Sequence, residues 1–483
     1  MKKILTYLFI LFTPILSHAQ RVIDLDKTVN ELLKDPYFKH ASLSVSVYNI
    51  NKNTFVYTMD GQRGLLPASM AKIFTTAAGF DKLGSNFRFK TTIGYTGNVD
   101  DNGVLHGNIY IVGGGDPLLG SYRYKQTRPD TLFRAWRQAL IQHGITEIDG
   151  KVCYDVSIFD KQTIHDSWHW GDIGNYYGTG ISGLNFHENM YFAYFNASKK
   201  LGHPATIDHI EPKNLNINNQ NEVVTGPENS GDNVIIYGDP DNVMRHYRGT
   251  VPMGMKNFAV RGAMPNPGKS CAELFVNYLR NTGFKVPKQV KEVITPNDSL
   301  KIILDYYSNS YYVIAQYINL TSNNMYAESI FKYLGYKSYG KGSFDNGSRV
   351  IYDFFREHNL EHSGIKVLDG SGLSRQDRVT TDFVCRFLTE ISKMDYYSDF
   401  LRAMATAGKN GTVKNLLPNL PTNISMKVKS GTMEGIKAYA GYVTTAKGEK
   451  LCFSVICNNY DCSAHQMQKK LEKILYKIAV LEG

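Results

Sequence analysis

Cysteine is scarce in this chain, whose 483 residues include only six. A disulfide-stapled scaffold is therefore excluded, because such folds are short and dense in cysteine. Charged residues make up 20% of the chain and hydrophobic residues 42%, a balance that excludes general disorder. Cys457 and Cys462 are near enough in sequence to bridge in an oxidising compartment, and the sequence leaves open whether they do. The length exceeds one ordinary domain and favours two or three.

Long hydrophobic runs are absent beyond the N-terminus. The first twenty residues read MKKILTYLFILFTPILSHAQ, with two lysines, a short apolar run and a small residue before the cleavage point. This pattern is typical of a secretory signal peptide, which we place at residues 1–19. The run is shorter than the ~20 residues of a spanning helix, which argues against an uncleaved anchor. We therefore expect an exported protein of the periplasm or cell envelope.

Acidic residues are too few to balance the basic ones, so the formal net charge is +10. Such a charge suits an anionic neighbour, for example a cell wall or a membrane surface, and peripheral attachment there stays open. The sequence contains neither a long Lys/Arg run nor a motif that binds DNA or RNA. We therefore expect no nucleic-acid partner.

Period-two alternation predicts strands near both ends of the chain. Residues 41–50 and 54–59 form a predicted pair joined by a turn. Near the C-terminus, ISMKVKSGT (424–432) alternates in the same way, and two further strands follow on either side of the turn at 446–448. An amphipathic helix over 463–481 ends the pattern.

The middle of the chain is different, being rich in Gly, Asn, Asp and Tyr. Its short strands and turns extend from about residue 92 to residue 297. Within it, helices are expected at residues 131–143 and 270–283. A helical texture returns over residues 313–335 and again over residues 346–358. We predict an α+β catalytic domain formed by residues 20–91 and 298–483. We expect the inserted region, residues 92–297, to form two small, mostly β subdomains.

The stretch PASMAKIFTTAAG, residues 67–79, predicts the start of a helix that carries a serine and a lysine. Residues three apart share one face of a helix, so Lys72 can reach Ser69. A serine hydroxyl is a poor nucleophile until a base removes its proton, and a lysine whose pKa is lowered can be that base. The positive end of the helix dipole would also favour negative charge on the serine oxygen.

Two other motifs give this pair its significance. The S-x-x-K pattern alone is weak, because it occurs again at Ser329 and Ser338 on segments where a solvated surface explains it. However, S-x-N follows at Ser322–Asn324 and K-S-G follows at 429–431, the latter on a predicted strand. This order of three motifs is typical of penicillin-binding proteins and class A β-lactamases.

Over nearly the whole mature chain, the sequence resembles class C, type-4 penicillin-binding proteins, the D-alanyl-D-alanine carboxypeptidase/endopeptidase family. The matching segments are PASMAKIFTTAAGFDKLGSNFRFKT, GNIYIVGGGDPLL, TSNNMYAESIFKYLG, VLDGSGLSRQDRVT, AGKNGTVKN and KSGTMEGIKAYAGYV. Two positions depart from the usual pattern: Asn323 stands where Asp is usual, and Ser430 stands where Thr is common. The resemblance implies a penicillin-recognising, transpeptidase-like or β-lactamase-like domain split by a large inserted region.

The resemblance also implies catalytic roles. Ser69 would attack the carbonyl of the penultimate D-alanine, with Lys72 as general base. Ser322 would pass the proton to the leaving amine. Asn324 would bind the substrate amide and hold Lys72.

The third motif would bind the substrate. Lys429, Ser430 and Thr432 would hold the terminal carboxylate, while Gly431 would let the substrate backbone approach the strand. The backbone N–H groups of Ser69 and Thr432 would form the oxyanion hole. We expect no metal and no cofactor, peptidoglycan muropeptides as substrates, and β-lactams as inhibitors.

Several alternatives stay open at this point. A serine β-lactamase would need a device for fast deacylation that the sequence does not reveal, and a silent wall-binding protein could keep the same fold. The balance of carboxypeptidase and endopeptidase activity, the cross-link chemistry, the oligomeric state and the role of the inserted region are undetermined. Asp116 and Asp369 are expected to hold loops, and Asp172 is a candidate contact for the peptide stem. His165 and His169 lack a third metal ligand.

Overall fold

A computed structural model describes residues 21–481 of the chain, so the predicted signal peptide lies outside the described residues. The described chain forms two compact units. The first unit comprises residues 21–85, 315–323 and 348–481, and the second comprises residues 86–314 and 324–347. None of the helices in residues 21–481 has the length and hydropathy that crossing a membrane requires.

The helices are numbered in chain order. They are α1 (residues 21–33), α2 (Lys72–Leu83), α3 (Pro129–Gln142), α4 (Trp170–Ile173), α5 (Pro267–Asn281), α6 (Tyr311–Thr321), α7 (Asn324–Tyr339), α8 (Phe344–Glu357), α9 (Thr381–Ile391), α10 (Tyr397–Ala403) and α11 (Ala464–Ala479). Short 3₁₀ turns include Ala68–Ala71, Tyr176–Gly178 and Gly411–Val413.

The strands are numbered in the same way. They are β1 (Ser42–Asn49), β2 (Thr54–Met59), β3 (Lys90–Tyr95), β4 (Asn98–Val99), β5 (Val104–His106), β6 (Ile109–Val112), β7 (Glu147–Ile148), β8 (Val152–Asp155), β9 (Met190–Asn196), β10 (Thr206–Glu211), β11 (Asn218–Asn221), β12 (Val224–Gly226), β13 (Asn233–Tyr237), β14 (Met244–Pro252), β15 (Phe258–Ala263), β16 (Val290–Glu292), β17 (Lys301–Tyr307), β18 (Ala405–Thr406), β19 (Ser425–Met433), β20 (Ile436–Thr444) and β21 (Lys450–Asn458).

The first unit is built on a six-stranded antiparallel sheet in the order β18-β19-β20-β21-β1-β2. Strands from both ends of the chain therefore share one sheet, because β1 pairs along its whole length with β21. The strands predicted at both ends are confirmed. Helix α11 begins with a capping box, in which the Ser463 side chain accepts from the Gln466 backbone and the Gln466 side chain accepts from the Ser463 backbone. Its apolar face joins α1 and the sheet in one core.

The helical texture predicted over residues 313–335 is confirmed, and it belongs to two helices. Helix α6 ends at Thr321, and α7 begins at Asn324. Between them, Ser322 has a φ of 59°, a left-handed conformation that breaks the helical path. The polar run TSNN, residues 321–324, coincides with this break.

The second unit contains a five-stranded mixed sheet in the order β16-β8-β6-β3-β17. Helices α3 and α5 pack on this sheet through Trp136, Phe275 and their apolar neighbours, and both helices are confirmed. A three-stranded sheet, β10-β9-β15, and a four-stranded sheet formed by β11 to β14 account for the strand-rich texture. The predicted boundaries at 92 and 297 stay a prediction. The compact unit starts at Asn86 and also includes residues 298–314 and 324–347.

Asp116 closes a buried turn in the second unit. Its Oδ1 accepts a hydrogen bond from the backbone N–H of Leu118 at 2.8 Å, the loop-holding role that its sequence context suggests. Its Oδ2 is buried and has no hydrogen-bond partner within residues 21–481. Burial disfavours the charged carboxylate and raises the pKa of Asp116 from its ordinary 3.8 to about 7.

We expect Asp116→Asn to stabilise the protein at pH 8 more than at pH 5. The folded-state pKa is raised, so the contribution of Asp116 to stability is lost as pH rises between about 4 and about 7. Asparagine keeps the Oδ1 acceptor and cannot ionise. Thermal unfolding at both pH values should show the variant gaining on the order of 2–3 kcal/mol over wild type from pH 5 to pH 8.

Asp130→Asn on α3 is the control, because this carboxylate is exposed and its ion pair within residues 21–481 is with Arg134 on the surface. It should follow the wild-type pH profile. An unchanged pH profile for Asp116→Asn would show that Asp116 is ionised in the folded protein.

Candidate active site

The first motif forms a tight turn followed directly by a helix. Ser69 lies in the 3₁₀ turn Ala68–Ala71, and Lys72 is the first residue of α2. Lys72 Nζ lies 2.8 Å from Ser69 Oγ, within hydrogen-bond distance. The side chain of Lys72 is 0% exposed, whereas Ser69 is half-buried. Ala68 has a φ of 46°, a left-handed conformation that is costly for alanine and is held immediately before the serine.

A loop over residues 369–374 gives Lys72 a second partner. Lys72 Nζ donates to the backbone carbonyl of Ser371 at 2.7 Å. The buried Asp369 carboxylate accepts from the N–H groups of Gly372 at 2.6 Å and Ser374 at 2.7 Å, which shapes this loop. The loop-holding role expected for Asp369 agrees with these contacts. The contact with the Ser371 carbonyl was not predicted from the sequence, because every residue has a backbone carbonyl and the residue type does not indicate which one Lys72 contacts.

Gly372 lets this loop approach the turn Ala68–Ala71, here called the nucleophile turn because it carries the predicted nucleophile Ser69. Its φ is 75°, and a Cβ added there would lie 2.0 Å from the carbonyl oxygen of Ala68. On the helix side, Thr75 Oγ1 donates to the Gly370 carbonyl at 2.7 Å. The position of Lys72 therefore depends on a loop some three hundred residues further along the chain.

The second and third motifs meet through an ammonium–hydroxyl contact. Lys429 Nζ donates to Ser322 Oγ at 2.9 Å and to the Ser430 carbonyl at 2.7 Å. The Lys429 side chain is 0% exposed. Burial, followed by the positive charge of Lys72, holds the pKa of Lys429 well below its usual range. The first unit therefore contains two lysine–serine pairs, Lys72 with Ser69 and Lys429 with Ser322. In each pair the lysine is buried and the serine is half-buried.

Gly431 allows a close contact within the protein, whereas the sequence led us to expect a close approach of the substrate. A Cβ at this position would lie 2.4 Å from the Pro67 carbonyl oxygen and 3.2 Å from the Ser69 nitrogen. The missing side chain thus allows β19 to pass directly over the nucleophile turn. This close approach places the strand carrying Lys429 and Ser430 beside Ser69. The approach of a substrate to the strand stays a prediction.

The outer edge of β19 is open where the predicted substrate-binding residues Ser430 and Thr432 lie. In the described part of the chain, β18 pairs with Lys427 and Val428 only. Beyond that point Ser430 Oγ lies 2.8 Å from Thr412 Oγ1, and the Thr432 side chain is exposed. Sequence reasoning did not identify Thr412, although it lies within the AGKNGTVKN segment.

Asn324 belongs to the second unit, where it begins α7. Its side-chain amide donates to the Tyr177 carbonyl at 2.7 Å. Asp172 Oδ1 accepts from the Tyr177 hydroxyl at 3.3 Å, and Asp172 Oδ2 is buried without a hydrogen-bond partner in residues 21–481. The GDIGNYYG segment therefore positions both a predicted catalytic amide and an acidic group that can accept a hydrogen bond.

The structure also describes the remaining candidate ligands. His165 Nδ1 hydrogen-bonds to Ser167 Oγ at 2.7 Å, and its ring packs edge-on against Phe344. Over residues 21–481, no group of three or more His, Cys, Asp or Glu side chains is arranged to hold a metal ion. Cys457 is buried and Cys462 half-buried, and both are free thiols in the structure.

This fold and this arrangement of motifs define a penicillin-recognising serine enzyme. The chain belongs to the D-Ala-D-Ala carboxypeptidase 3 (S13) family, whose model matches residues 25–478. The predicted fold class, family and enzyme class, a serine-type D-Ala-D-Ala carboxypeptidase, are thereby confirmed.

Two curated relatives span most of the chain. A D-alanyl-D-alanine carboxypeptidase of Actinomadura is 26% identical over 93% of this chain and 84% of its own length. The D-alanyl-D-alanine carboxypeptidase DacB of Haemophilus influenzae is 25% identical over 85% of this chain and 84% of its own. The crystal structure of penicillin binding protein 4 from H. influenzae matches with a TM-score of 0.79 at 23% identity, covering 93% of this chain and 98% of that one. This structural likeness supports the fold.

We expect Gly372→Ala to lower kcat for release of D-alanine from a D-Ala-D-Ala peptide by at least about tenfold. The added Cβ displaces the loop whose Ser371 carbonyl holds Lys72, and small displacements of catalytic groups cost large factors in rate.

Gly364→Ala is the matched control. Gly364 has the same φ of 75°, but nothing lies within 4 Å of its added Cβ. Both variants carry the left-handed backbone penalty of about 1 kcal/mol, and only Gly372→Ala adds the collision. Equal kcat values for the two variants would show that the loop does not position Lys72.

Proposed function

We propose that this chain is an exported serine enzyme that hydrolyses peptidoglycan stem peptides, cross-links or both through an acyl-enzyme on Ser69. The observation that carries the proposal is the 2.8 Å contact between Lys72 Nζ and Ser69 Oγ beside the Lys429–Ser322 pair. Family membership and the names of the curated relatives support the substrate class.

Acylation begins with proton transfer from Ser69. In its neutral form, Lys72 Nζ accepts the Ser69 proton while Oγ attacks the carbonyl of the penultimate D-alanine. The N–H groups of Ser69 and Thr432 donate to the oxyanion, each contributing about 3 kcal/mol. Ser322 delivers a proton to the leaving amine, which departs with the terminal residue. Asn324 binds the substrate amide.

The terminal carboxylate binds at the open edge of β19. Ser430 and Thr432 present hydroxyl donors, and Lys429 adds a positive charge behind them. A substrate strand can pair with this edge, because β18 ends its pairing at Val428 in the described part of the chain. Water then hydrolyses the ester and releases Ser69.

A β-lactam would follow the same path as far as the acyl-enzyme and stop there. A β-lactam complex of the H. influenzae penicillin binding protein 4 has been solved, which supports this extension. Incubation with fluorescent penicillin should label the mature wild-type protein stoichiometrically and leave Ser69→Ala unlabelled. Rapid turnover of a chromogenic cephalosporin would instead favour a β-lactamase.

Ser338→Ala is the control for this labelling. Ser338 also begins an S-x-x-K pattern, but it is exposed near the end of α7. It should label like wild type. If folded wild type does not label, Ser69 is not a penicillin-reactive nucleophile, and the non-catalytic wall-binding alternative is favoured. Digestion of muropeptides then separates carboxypeptidase from endopeptidase products.

We also propose that Asp172 contacts the peptide stem. Asp172 is half-buried beside the Tyr177 hydroxyl, and its carboxylate can accept a hydrogen bond from a substrate amine or amide. Asp172→Ala should lower kcat/KM on muropeptides by about tenfold or more and leave the rate of penicillin labelling near wild type, because penicillin carries no stem. An unchanged kcat/KM would remove Asp172 from the binding site.

A further inference from the structure

Three ammonium–hydroxyl contacts recur in the first unit. Lys72 Nζ lies 2.8 Å from Ser69 Oγ, and Lys429 Nζ lies 2.9 Å from Ser322 Oγ. The third contact joins Lys437 Nζ to Thr432 Oγ1 at 2.9 Å. The proposed reaction uses the first two pairs, and it assigns nothing to Lys437.

Lys437 lies directly across the sheet from Thr432. The two residues are register partners in the β19–β20 ladder, so their side chains share one face of the sheet. Lys437 is 8% exposed, whereas the Thr432 side chain is exposed. The ammonium therefore lies beneath a hydroxyl that faces solvent at the open edge of β19.

Lys437 has no negatively charged partner in the described part of the chain. Its ammonium contacts the Thr432 hydroxyl and lies 5.6 Å from the centre of the Tyr439 ring, and it forms no ion pair with a carboxylate. Burial lowers the pKa of Lys437, and no nearby acidic group offsets this effect. Buried lysines are rare unless they are paired, because an unpaired buried charge is costly. A bound anion would supply the missing counter-charge.

The direction of the hydrogen bond indicates where that anion would bind. Lys437 has only protons to donate, so Thr432 Oγ1 is the acceptor in this contact. The hydroxyl proton of Thr432 is then free to point away from Lys437, toward the exposed side. A hydroxyl that accepts from an ammonium is a stronger donor to a carboxylate, because hydrogen bonds in a chain polarise one another.

We propose that Lys437 is a specificity-determining residue that, through Thr432, makes the enzyme prefer substrates with a free carboxylate next to the scissile bond. This inference rests on the proposed function, since it concerns the same carboxylate position. Lys437 acts as a positioning residue: it orients and polarises the Thr432 hydroxyl and adds positive charge beneath it. Both a terminal D-alanine and a cross-link residue with a free α-carboxylate would be recognised.

The test compares two peptides that differ only at the C-terminus. One ends in D-Ala-D-Ala and the other in the corresponding C-terminal amide. The measured quantity is the ratio of kcat/KM for the acid to kcat/KM for the amide. Lys437→Met removes the charge while keeping the unbranched stem, and it should lower this ratio by about tenfold or more. Lys437→Arg should restore most of the ratio, because the charge returns.

Lys427→Met on β19 is the matched control. Lys427 is half-buried with a lowered pKa, as burial predicts, but its Nζ contact is with the Met404 carbonyl at 3.5 Å. The ratio of kcat/KM for the acid to kcat/KM for the amide should be the same in Lys427→Met as in wild type. If Lys437→Met does not fold, Lys437→Gln provides the second test, since it also removes the charge while keeping a polar side chain beside Thr432, and it should lower the ratio as well.

The outcomes separate this inference from the proposed function. A wild type that hydrolyses neither peptide overturns the proposed function itself. A wild type that prefers the acid while folded Lys437→Met keeps the same ratio overturns the role of Lys437 and leaves the proposed function intact. If the ratio falls in Lys427→Met as much as in Lys437→Met, the effect is a general one of removing a positive charge. That result would also overturn the role of Lys437.

Discussion

The contact between Lys72 Nζ and Ser69 Oγ is the interaction on which the rest of the site depends. A serine becomes a nucleophile only if a base lies within hydrogen-bond reach, and the proposed base, Lys72, is the first residue of the helix that follows the serine turn. Burial of Lys72 removes competing water. The Ser371 carbonyl and the Ser69 hydroxyl contact the buried ammonium in place of water.

Close backbone approaches hold this contact in place. Gly431 lets β19 pass over the nucleophile turn, and Gly372 lets the 369–374 loop reach the carbonyl of Ala68. Left-handed backbone at Ala68 and Ser322 adds strain at the two serines. Such strain persists only where packing over-determines the conformation, and the six-stranded sheet with its helices provides that packing. The first unit therefore uses its core to fix positions that local propensity would not choose.

Much of this arrangement could be predicted from sequence, for identifiable physical reasons. The Ser69–Lys72 pair follows from helical spacing, and the strand carrying Lys429 follows from period-two alternation. The polar run TSNN, residues 321–324, indicates a break there, but the left-handed backbone of Ser322 could not be predicted, because serine rarely adopts it. The Ser371 carbonyl could not be predicted either, because any residue supplies a backbone acceptor. Lys437 was missed because its partner is defined by strand register, which a single sequence does not give.

Locating the acyl group is the most direct test of Ser69 as the nucleophile. Wild-type protein incubated with benzylpenicillin and digested with a protease would be mapped by mass spectrometry. We predict one penicilloyl adduct, on the peptide that contains Ser69, and loss of that adduct after hydroxylamine treatment, as expected for an ester. An adduct on a peptide without Ser69, or no adduct on folded protein, would contradict this prediction.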